Sequence, residues 1–371
     1  MCDGIAVSFL AGYFLYDILR KRQKFFAQQE AKKNMLIILE KKFKESQKQT
    51  LLKLLVENGS KFRDTTFNGR QVIVVSDVSS GKISSGIAKV PCIERIVDVN
   101  EPYQLCSRNA KSSDTVIKVQ DFKIGGGEFG VIGGPCTVES EKQTLDIAVQ
   151  VRKAGATALR GGAFKPRTSP YAFQGLKEAG LKILAKARAE TGLAIVTEAM
   201  SCDEVMLVAE YADVVQIGTR NAQNYRLLEK CGEVRVPILL KRGFSCTLEE
   251  FLMSAEYILA GGNDRVILCE RGIRTFETYQ RYTFPAGSIP ALKMLTHLPL
   301  VVDPSHAAGR VEFVPSLSYA AAAVGADGLL VEVHNAPETA LCDGRQSLLP
   351  KEFAAMVKKC KKIVKLLHDK D

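Results

Sequence analysis

From residue 130 onward the hydrophobic positions of this chain switch regularly between two patterns. Short, almost unbroken apolar runs give way to longer stretches in which apolar residues return every three or four positions. The first pattern suits a strand covered on both faces, the second an amphipathic helix lying over it. Strands are accordingly predicted at residues 130–133, 157–160, 194–197, 214–217, 238–241, 266–269, 300–303 and 328–333. The helices between and after them are predicted at 141–154, 174–190, 202–210, 222–231, 248–259, 286–296, 311–324 and 351–367. Eight such units over about 240 residues have the size of a (β/α)8 TIM barrel. An open doubly wound sheet would carry a glycine fingerprint after its first strand and an acidic residue about 20 positions further on. Here that strand runs into Gly133-Gly134-Pro135-Cys136 instead.

Upstream the pattern changes. Residues 35–105 read strand, helix, strand, strand, helix, strand, with strands at 36–39, 61–66, 71–75 and 93–99. The helix at 46–57 gathers Leu51, Leu52, Leu54 and Leu55 on one side, and a short second helix is placed at 84–89. This is the ferredoxin-like α+β order. It contains no histidine, no paired carboxylates and no glycine loop, so it reads as a ligand-sensing or packing module. Residues 106–124 form a polar link and a small hairpin through 115–119 and 122–124, closed by Gly125-Gly126-Gly127. The barrel domain is therefore expected to run from 106 to 371, with the hairpin at its start.

Residues 1–34 precede the first good strand pattern and are expected to be an extension, arising from an upstream start codon. Their apolar run, residues 5–19, is interrupted by Asp17 and falls short of the roughly 20 residues a spanning helix needs. It also lacks the positive segment that opens a secretory signal. No membrane association is expected.

Composition narrows the picture further. With 371 residues, one large domain and a smaller one are expected, and 46% hydrophobic with 25% charged residues is typical of a globular protein. The net charge of +10 is concentrated in residues 20–61 and 351–370, where few aromatics are interleaved, and there is no Trp. That argues against nucleic-acid binding, whereas an anionic small substrate accounts for the excess. The ten cysteines are scattered without a C-x-x-C pair, which fits a reducing, cytoplasmic setting and mostly buried thiols.

Barrel chemistry collects where strands end. The predicted strand ends carry, in order, Cys136; Arg160; Glu198; Gln216 with Arg220; Lys241 with Arg242; Glu270 with Arg271; Asp303 with His306; and Glu332 with His334. Singly, each has a dull explanation as a solvated edge; together they imply a common mouth. The loop Gly161-Gly-Ala-Phe-Lys-Pro-Arg-Thr-Ser-Pro170 adds Lys165, Arg167, Thr168 and Ser169, stiffened by Pro166 and Pro170. Six cations result: Arg160, Lys165, Arg167, Arg220, Lys241 and Arg271. They would repel one another unless anions lay between them, and two phosphates, or a phosphate and a carboxylate, would balance them. A second group, Cys136, His306, Glu332 and Asp343, has the donor types of a site for one divalent ion such as Mn2+, Fe2+, Co2+ or Zn2+. His297 and His368 fall on helical or linking stretches and are read as surface or core.

Several of these stretches resemble the 3-deoxy-D-arabino-heptulosonate 7-phosphate synthases. They are Gly134-Pro-Cys136, Leu159-Arg-Gly-Gly-Ala-Phe-Lys-Pro-Arg-Thr-Ser-Pro170, Gln216-Ile-Gly-Thr-Arg-Asn221, Leu240-Lys-Arg-Gly243, Cys269-Glu-Arg-Gly-Ile-Arg274, Asp303-Pro-Ser-His306, Glu332-Val-His334 and Asp343-Gly344. The likeness runs from about Met35 to about Phe353 and is to the type Iβ subgroup, which carries an N-terminal ferredoxin-like regulatory domain.

The resemblance implies a metal-dependent, aldol-like condensation of phosphoenolpyruvate with erythrose 4-phosphate, the first step of the shikimate pathway to chorismate and the aromatic amino acids. It implies Cys136, His306, Glu332 and Asp343 as metal ligands. Arg160, Arg220, Lys241 and Arg271 would hold phosphoenolpyruvate, and Lys165, Arg167, Thr168 and Ser169 the sugar phosphate. Lys165, Lys241, Cys136, His306 and Glu198 are the residues expected to take part in the chemistry, Glu198 by positioning a water. The resemblance also implies tyrosine or phenylalanine as effector, bound between regulatory domains of a homotetramer.

Two alternatives are a 3-deoxy-octulosonate 8-phosphate synthase, which takes arabinose 5-phosphate and is expected to lack the Lys165-Pro-Arg-Thr168 sequence, and a Schiff-base aldolase using Lys241. One departure from the family pattern is Gln280-Arg-Tyr-Thr-Phe-Pro285, where Thr-Arg-x-Thr-Leu-Asp is usual. Arg281 survives, so altered loop packing is expected there rather than lost activity.

Overall fold

The computed structural model describes residues 33–78, 84–99 and 101–368. The expected extension 1–34, with its apolar run, therefore lies outside the described residues up to 32. The described residues fall into two compact units, one reaching Asp64 and including Val72–Asn100, the other comprising Thr65–Gln71 and the chain from Glu101.

In the N-terminal unit the order is β1 (Lys33–Leu39), α1 (Glu45–Glu57), β2 (Lys61–Phe67), β3 (Arg70–Val78), α2 (Ser84–Ile87) and β4 (Ile93–Val99). The sheet order is β2-β3-β1-β4, with β1 antiparallel to both β3 and β4 (Ile37 pairs with Ile73 and with Ile96). This is the ferredoxin-like arrangement. Alternate residues Met35, Ile37 and Leu39 share one face with Ile73 and Val75, and that face is covered by Leu51 and Leu55 of α1. The apolar side of the predicted helix thus faces the sheet. Strands β2 and β3 are joined at Asn68-Gly69, both with positive φ, the conformation of a type I′ hairpin turn.

In the larger unit a hairpin, β5 (Ile117–Val119) and β6 (Phe122–Ile124), precedes eight parallel strands. These are β7 (Gly130–Gly134), β8 (Ala158–Arg160), β9 (Ala194–Ala199), β10 (Val214–Ile217), β11 (Ile238–Lys241), β12 (Val266–Glu270), β13 (Leu300–Val302) and β14 (Gly328–Glu332). They close into a barrel in sequence order, β14 pairing with β7 from Gly328↔Gly130 to Glu332↔Gly134. Ile132, Ala158, Val196, Val214, Leu239, Ile267, Val301 and Leu330 form one buried cluster with Ile117, Phe122 and Ile124 of the hairpin. The hairpin thus plugs the end of the barrel where the strands begin. Gly130 makes room for it, since a Cβ there would fall 2.8 Å from the Phe122 ring. Chemistry is left to the opposite end.

The link before the hairpin is latched to the barrel by buried polar groups. Glu256, on α7 (Leu248–Ala260 when the helices α3 to α6 are taken as Glu141–Lys153, Glu178–Thr191, Cys202–Tyr211 and Tyr225–Glu233), accepts the backbone N–H groups of Leu105 at 2.8 Å and Cys106 at 3.0 Å. His297 bridges the Leu105 carbonyl and the Thr115 hydroxyl. It is core, while His368 is exposed.

Several predicted boundaries move for local reasons. The helix placed at 174–190 begins at Glu178, because Gly175 and Lys177 both have positive φ. The helix at 222–231 begins at Tyr225, where Asn224 caps it. The stretch 311–324 divides into a 3-10 turn, Val311–Phe313, and a helix, Val314–Ala323. Strand β13 stops at Val302. Asp303 then caps an unforeseen short helix, Pro304–Ala308, with Pro at its start. The nine cysteines among the described residues are all unpaired. Among the same residues no helix is long and apolar enough to cross a membrane.

Candidate active site

The strands end around a cavity of about 290 Å³ lined by Lys165, Arg167, Thr168, Ser169, Glu198, Gln216, Arg220, Lys241, Phe244, Arg271, Arg281, Tyr282, His306, Cys342 and Asp343, among others. Its first wall is the 161–170 loop. The loop doubles back on itself, Lys165 N–H donating to the Gln174 carbonyl at 3.0 Å and Lys177 N–H to Ala163 at 2.8 Å. The Gln174 side chain bonds the Ala172 carbonyl at 2.8 Å. Lys165 is thereby buried, its ammonium 2.9 Å from Cys136 Sγ and 3.2 Å from the Cys136 carbonyl. Burial works against its charge, but Cys136, Cys342 and Glu332 outweigh it and hold the lysine's pKa up. Thr168 and Ser169 remain exposed at the rim.

A second cationic group faces this loop. Lys241, at the end of β11, lies 2.6 Å from Asp303 Oδ2. Arg271 lies beside a stacked aromatic pair, its guanidinium carbon 3.9 Å from the Tyr282 ring centre and 5.3 Å from that of Phe244, the two rings being 5.3 Å apart. Its Nε and Nη1 are buried with no hydrogen-bond partner. Burial lowers its pKa. Unpaired guanidinium donors held by aromatic faces are suited to a carboxylate or phosphate. Between the two groups stands Glu198, accepting from Gln216 Nε2 at 3.0 Å. Gly218 leaves space for that carboxylate, since a Cβ there would fall 2.1 Å from Glu198 Oε1.

At one end of the cavity His306, Cys342 and Asp343 line the wall, and the buried Cys136 and Glu332 stand behind them. Gly134 (φ +152°) turns the chain beside β8, where a Cβ would fall 2.2 Å from the Arg160 carbonyl, and delivers Cys136. Cys136 Sγ lies 3.2 Å from Asp343 Oδ2. His306 Nε2 lies 3.6 Å from Glu332 Oε1 and 4.0 Å from Asp343 Oδ2. The donor atoms of His306, Glu332 and Asp343 fall within 4.8 Å of one another, as do those of Cys136, Cys342 and Asp343. Glu332 is fully buried. Its Oε2 accepts from Gln346 at 2.7 Å, while Oε1 makes no hydrogen bond and faces Arg160 Nη2 at 3.3 Å and His306 Nε2 at 3.6 Å. A buried carboxylate oxygen left so is what a bound cation would satisfy. Burial lowers the His306 pKa despite Asp303 and Glu332, which favours the neutral, ligating imidazole. Burial opposes ionisation of Asp343, yet His306, Lys165 and Arg281 hold its carboxyl well below the usual range. The Cys136 thiol is pushed well up, chiefly by burial. A divalent ion fits this donor set, and its binding would displace the thiol proton.

All of these residues lie within 111–368, the stretch that matches the model of the DAHP synthetase I family. The chain belongs to that family. It is 46% identical over 333 residues, 90% of this chain and 98% of the relative, to phospho-2-dehydro-3-deoxyheptonate aldolase of Thermotoga maritima. The crystal structure of that protein superposes with a TM-score of 0.72, again over 90% and 98% of the two chains. A truncated form of 3-deoxy-D-arabino-heptulosonate 7-phosphate synthase from Thermotoga maritima matches at 48% identity and TM-score 0.67, over 71% of this chain and 97% of that one. A 2-dehydro-3-deoxyphosphooctonate aldolase of Syntrophotalea carbinolica is 35% identical over 62% of this chain and 90% of its own length.

Within this DAHP synthetase family member the expected ring of strand ends needs correction at four places. Arg160 does not line the main cavity. Its Nε and Nη2 lie 3.3 Å from the Pro135 and Cys136 carbonyls, and Nη2 is also 3.3 Å from Glu332, leaving Nη1 buried without a partner. Arg242 and Glu270 bond each other at 2.7 Å, and Arg242 is further held by the Cys246 carbonyl and Glu270 by Ser288. His334 turns away towards Gln143 and Glu139. Successive strand residues point to opposite sides, so Lys241 enters the mouth while Arg242 leaves it.

Other residues of the site were not given roles by sequence reasoning. Asp303 joins Lys241 to His306 and Cys342 sits beside Asp343; the signal available was adjacency to a predicted ligand. The departing loop 280–285 also belongs here. Arg281 N–H and Tyr282 N–H donate to the Ala308 and Ala307 carbonyls at 3.1 and 3.0 Å, anchoring the loop on the short helix that carries His306. Arg281 then reaches Gln346 at 3.1 Å and Asp343 at 3.3 Å.

Proposed function

We propose that this chain condenses phosphoenolpyruvate with D-erythrose 4-phosphate, giving 3-deoxy-D-arabino-heptulosonate 7-phosphate and inorganic phosphate. The observation that carries the reading is the pairing of two cationic groups across one cavity with a thiol–imidazole–carboxylate cluster that reaches its wall through His306, Cys342 and Asp343. Lys241, Arg220 and Arg271 bind the phosphate and carboxylate of phosphoenolpyruvate, with Arg160 adding positive charge from behind the cavity wall. Lys165, Arg167, Thr168 and Ser169 bind the phosphate of the sugar.

Cys136, His306, Glu332 and Asp343 would hold one divalent ion, Mn2+, Fe2+, Co2+ or Zn2+. That ion would polarise the aldehyde oxygen as a Lewis acid. The residues of the chain do the rest. The two cationic groups hold C3 of phosphoenolpyruvate against the aldehyde carbon, where the new carbon–carbon bond forms. Glu198 orients the water whose oxygen adds at C2, and the phosphate leaves with the C2–O bond broken. Arg220, Lys241 and Arg271 stabilise the charge that gathers on the departing phosphate.

Lys241 favours this reading over a Schiff-base aldolase. An amine nucleophile must be neutral, and Lys241 stands 2.6 Å from a buried carboxylate as its ion-pair partner. The five-carbon sugar alternative is disfavoured by Lys165-Pro-Arg-Thr168 and by the lower identity of the octonate aldolases. The N-terminal unit is proposed as a regulatory domain responding to tyrosine or phenylalanine in a cytoplasmic homotetramer. What supports this is its ferredoxin-like order and the lack of a metal-type cluster among its described residues.

The test is a phosphate-release assay with both substrates. Release should require both sugar phosphate and phosphoenolpyruvate, stop with EDTA and return with Mn2+. Activity that survives chelation, together with borohydride trapping of the substrate on the protein, would replace this reading with the Schiff-base one.

A further inference from the structure

We infer that Cys342 is a further ligand of the metal centre, giving the ion two thiolates rather than one. The inference rests on the proposed metal site and concerns a residue outside its four expected ligands. Both thiols aim at one atom. Cys136 Sγ stands 3.2 Å and Cys342 Sγ 3.5 Å from Asp343 Oδ2, and all three donors lie within 4.8 Å of one another. A tetrahedral ion with bonds of about 2.0–2.3 Å needs its donors about 3.3–3.8 Å apart. Each sulfur therefore already stands about as far from the Asp343 oxygen as two neighbouring corners of a coordination shell do.

Two further observations point the same way. Asp343 has φ +52° and ψ +29°, a left-handed conformation that is unfavourable for a non-glycine residue. That kink lets two consecutive side chains, Cys342 and Asp343, share one site. Glu332 Oε1 is fully buried and makes no hydrogen bond, its nearest cation being Arg160 Nη2 at 3.3 Å. A cation between these groups would satisfy the carboxylate oxygen and replace the two thiol–carboxylate contacts, each thiol releasing its proton on binding. Cys342 also lines the cavity, so the second thiolate would stand on the side from which substrate arrives.

A second soft donor changes which ion is preferred. Thiolates favour Zn2+ and other thiophilic ions over Mn2+, whose preferred donors are oxygens. Loss of Cys342 should therefore weaken Zn2+ binding by about 10–100-fold, the cost typical of losing a metal-site partner, and Mn2+ binding by much less.

The experiment uses the full-length protein, reduced, stripped with chelator and reloaded with Zn2+. X-ray absorption at the zinc edge should find two sulfur scatterers at about 2.3 Å in the wild type and one in Cys342→Ser. Competition titrations should show these affinity losses, selective for Zn2+. The wild-type spectrum alone is decisive if the variant fails to fold. One sulfur in the wild type, or two retained in Cys342→Ser, would overturn the role of Cys342 while leaving the four-ligand site intact. Failure of the wild type to retain any zinc or Mn2+ would overturn the metal reading itself.

Discussion

Asp303 holds His306 by the ring nitrogen that faces away from the metal-type cluster, its Oδ2 lying 2.7 Å from Nδ1. The same oxygen lies 2.6 Å from Lys241 Nζ, and Oδ1 accepts the His306 backbone N–H at 2.9 Å. One buried carboxylate therefore ties the imidazole to the phosphate-binding side of the cavity. Burial opposes its ionisation, but His306 and Lys241 hold its carboxyl well below the usual range. Asp303→Asn keeps the shape and removes the charge. It should weaken metal binding by about 10–100-fold, as loss of an orienting carboxylate typically does, and raise KM for phosphoenolpyruvate through Lys241. Metal affinity equal to wild type in a competition titration would show that the contact does not orient the ring.

The packing of Arg271 against the Tyr282 ring predicts that lysine is a poor replacement. Lysine keeps the charge but loses the planar fork and its stacking on Tyr282 beside Phe244. With about 1.5–3 kcal/mol for a charged hydrogen bond, Arg271→Lys should cost about 10–150-fold in kcat/KM for phosphoenolpyruvate. KM for the sugar phosphate should change little. Equal losses for both substrates in steady-state kinetics would mean that Arg271 does not serve phosphoenolpyruvate alone.

Much of this site is legible in the amino-acid sequence, and the reason lies in the strands. Strands buried on both faces, such as Val214–Ile217 and Ile238–Lys241, are nearly continuous in apolar residues, so their ends can be placed closely. Residues just past a strand end are harder to orient. Arg242, Glu270 and His334 look like mouth residues by position, but a one-residue step sends a side chain to the other side, and only packing decides which. Asp303-Pro304-Ser305-His306 is too short for periodicity to mark as a helix, although its cap and proline are visible. Cys342 is unremarkable in sequence because its value comes from Cys136, far along the chain but close in the fold.

Gly218 offers a test of Glu198. Its φ is −73°, so alanine is allowed by the backbone, but the added methyl would fall 2.1 Å from Glu198 Oε1. Gly218→Ala should therefore displace the carboxylate without unfolding the barrel. Misplacement of a positioning group by about 1 Å can cost about 100-fold, and a fall in kcat of that order is expected with the thermal midpoint little changed. A variant as active as wild type would remove Glu198 from the mechanism.

The two-unit organisation predicts separable activity and control. A chain lacking residues 1–100 should still release phosphate from its substrates and should lose inhibition by tyrosine or phenylalanine. The barrel carries its own plug, the hairpin Ile117–Ile124, so its core remains covered after the cut. Inhibition constants measured side by side decide the matter. A truncated chain inhibited like the whole one would place the effector site in the barrel.

His297 predicts an acid limit to stability that is independent of the active site. Its Nε2 faces the Leu105 carbonyl at 2.9 Å, which can only accept, so Nε2 carries the proton and Nδ1 accepts from the Thr115 hydroxyl at 2.8 Å. The imidazole is thus buried neutral, and burial is the main cause that lowers its pKa to about 4. In the unfolded chain a histidine takes up its proton near 6.5. Between those values the unfolded state binds more protons than the folded one, so stability rises with pH. The contribution is complete above about pH 6.5 and is lost as pH falls towards 4, amounting to about 3 kcal/mol at about 1.4 kcal/mol per unit. His297→Gln can keep a donor and an acceptor without titrating. Urea unfolding of wild type and variant across pH 4 to 7 should show the wild type losing its advantage with acid; parallel curves would mean that His297 titrates alike in both states.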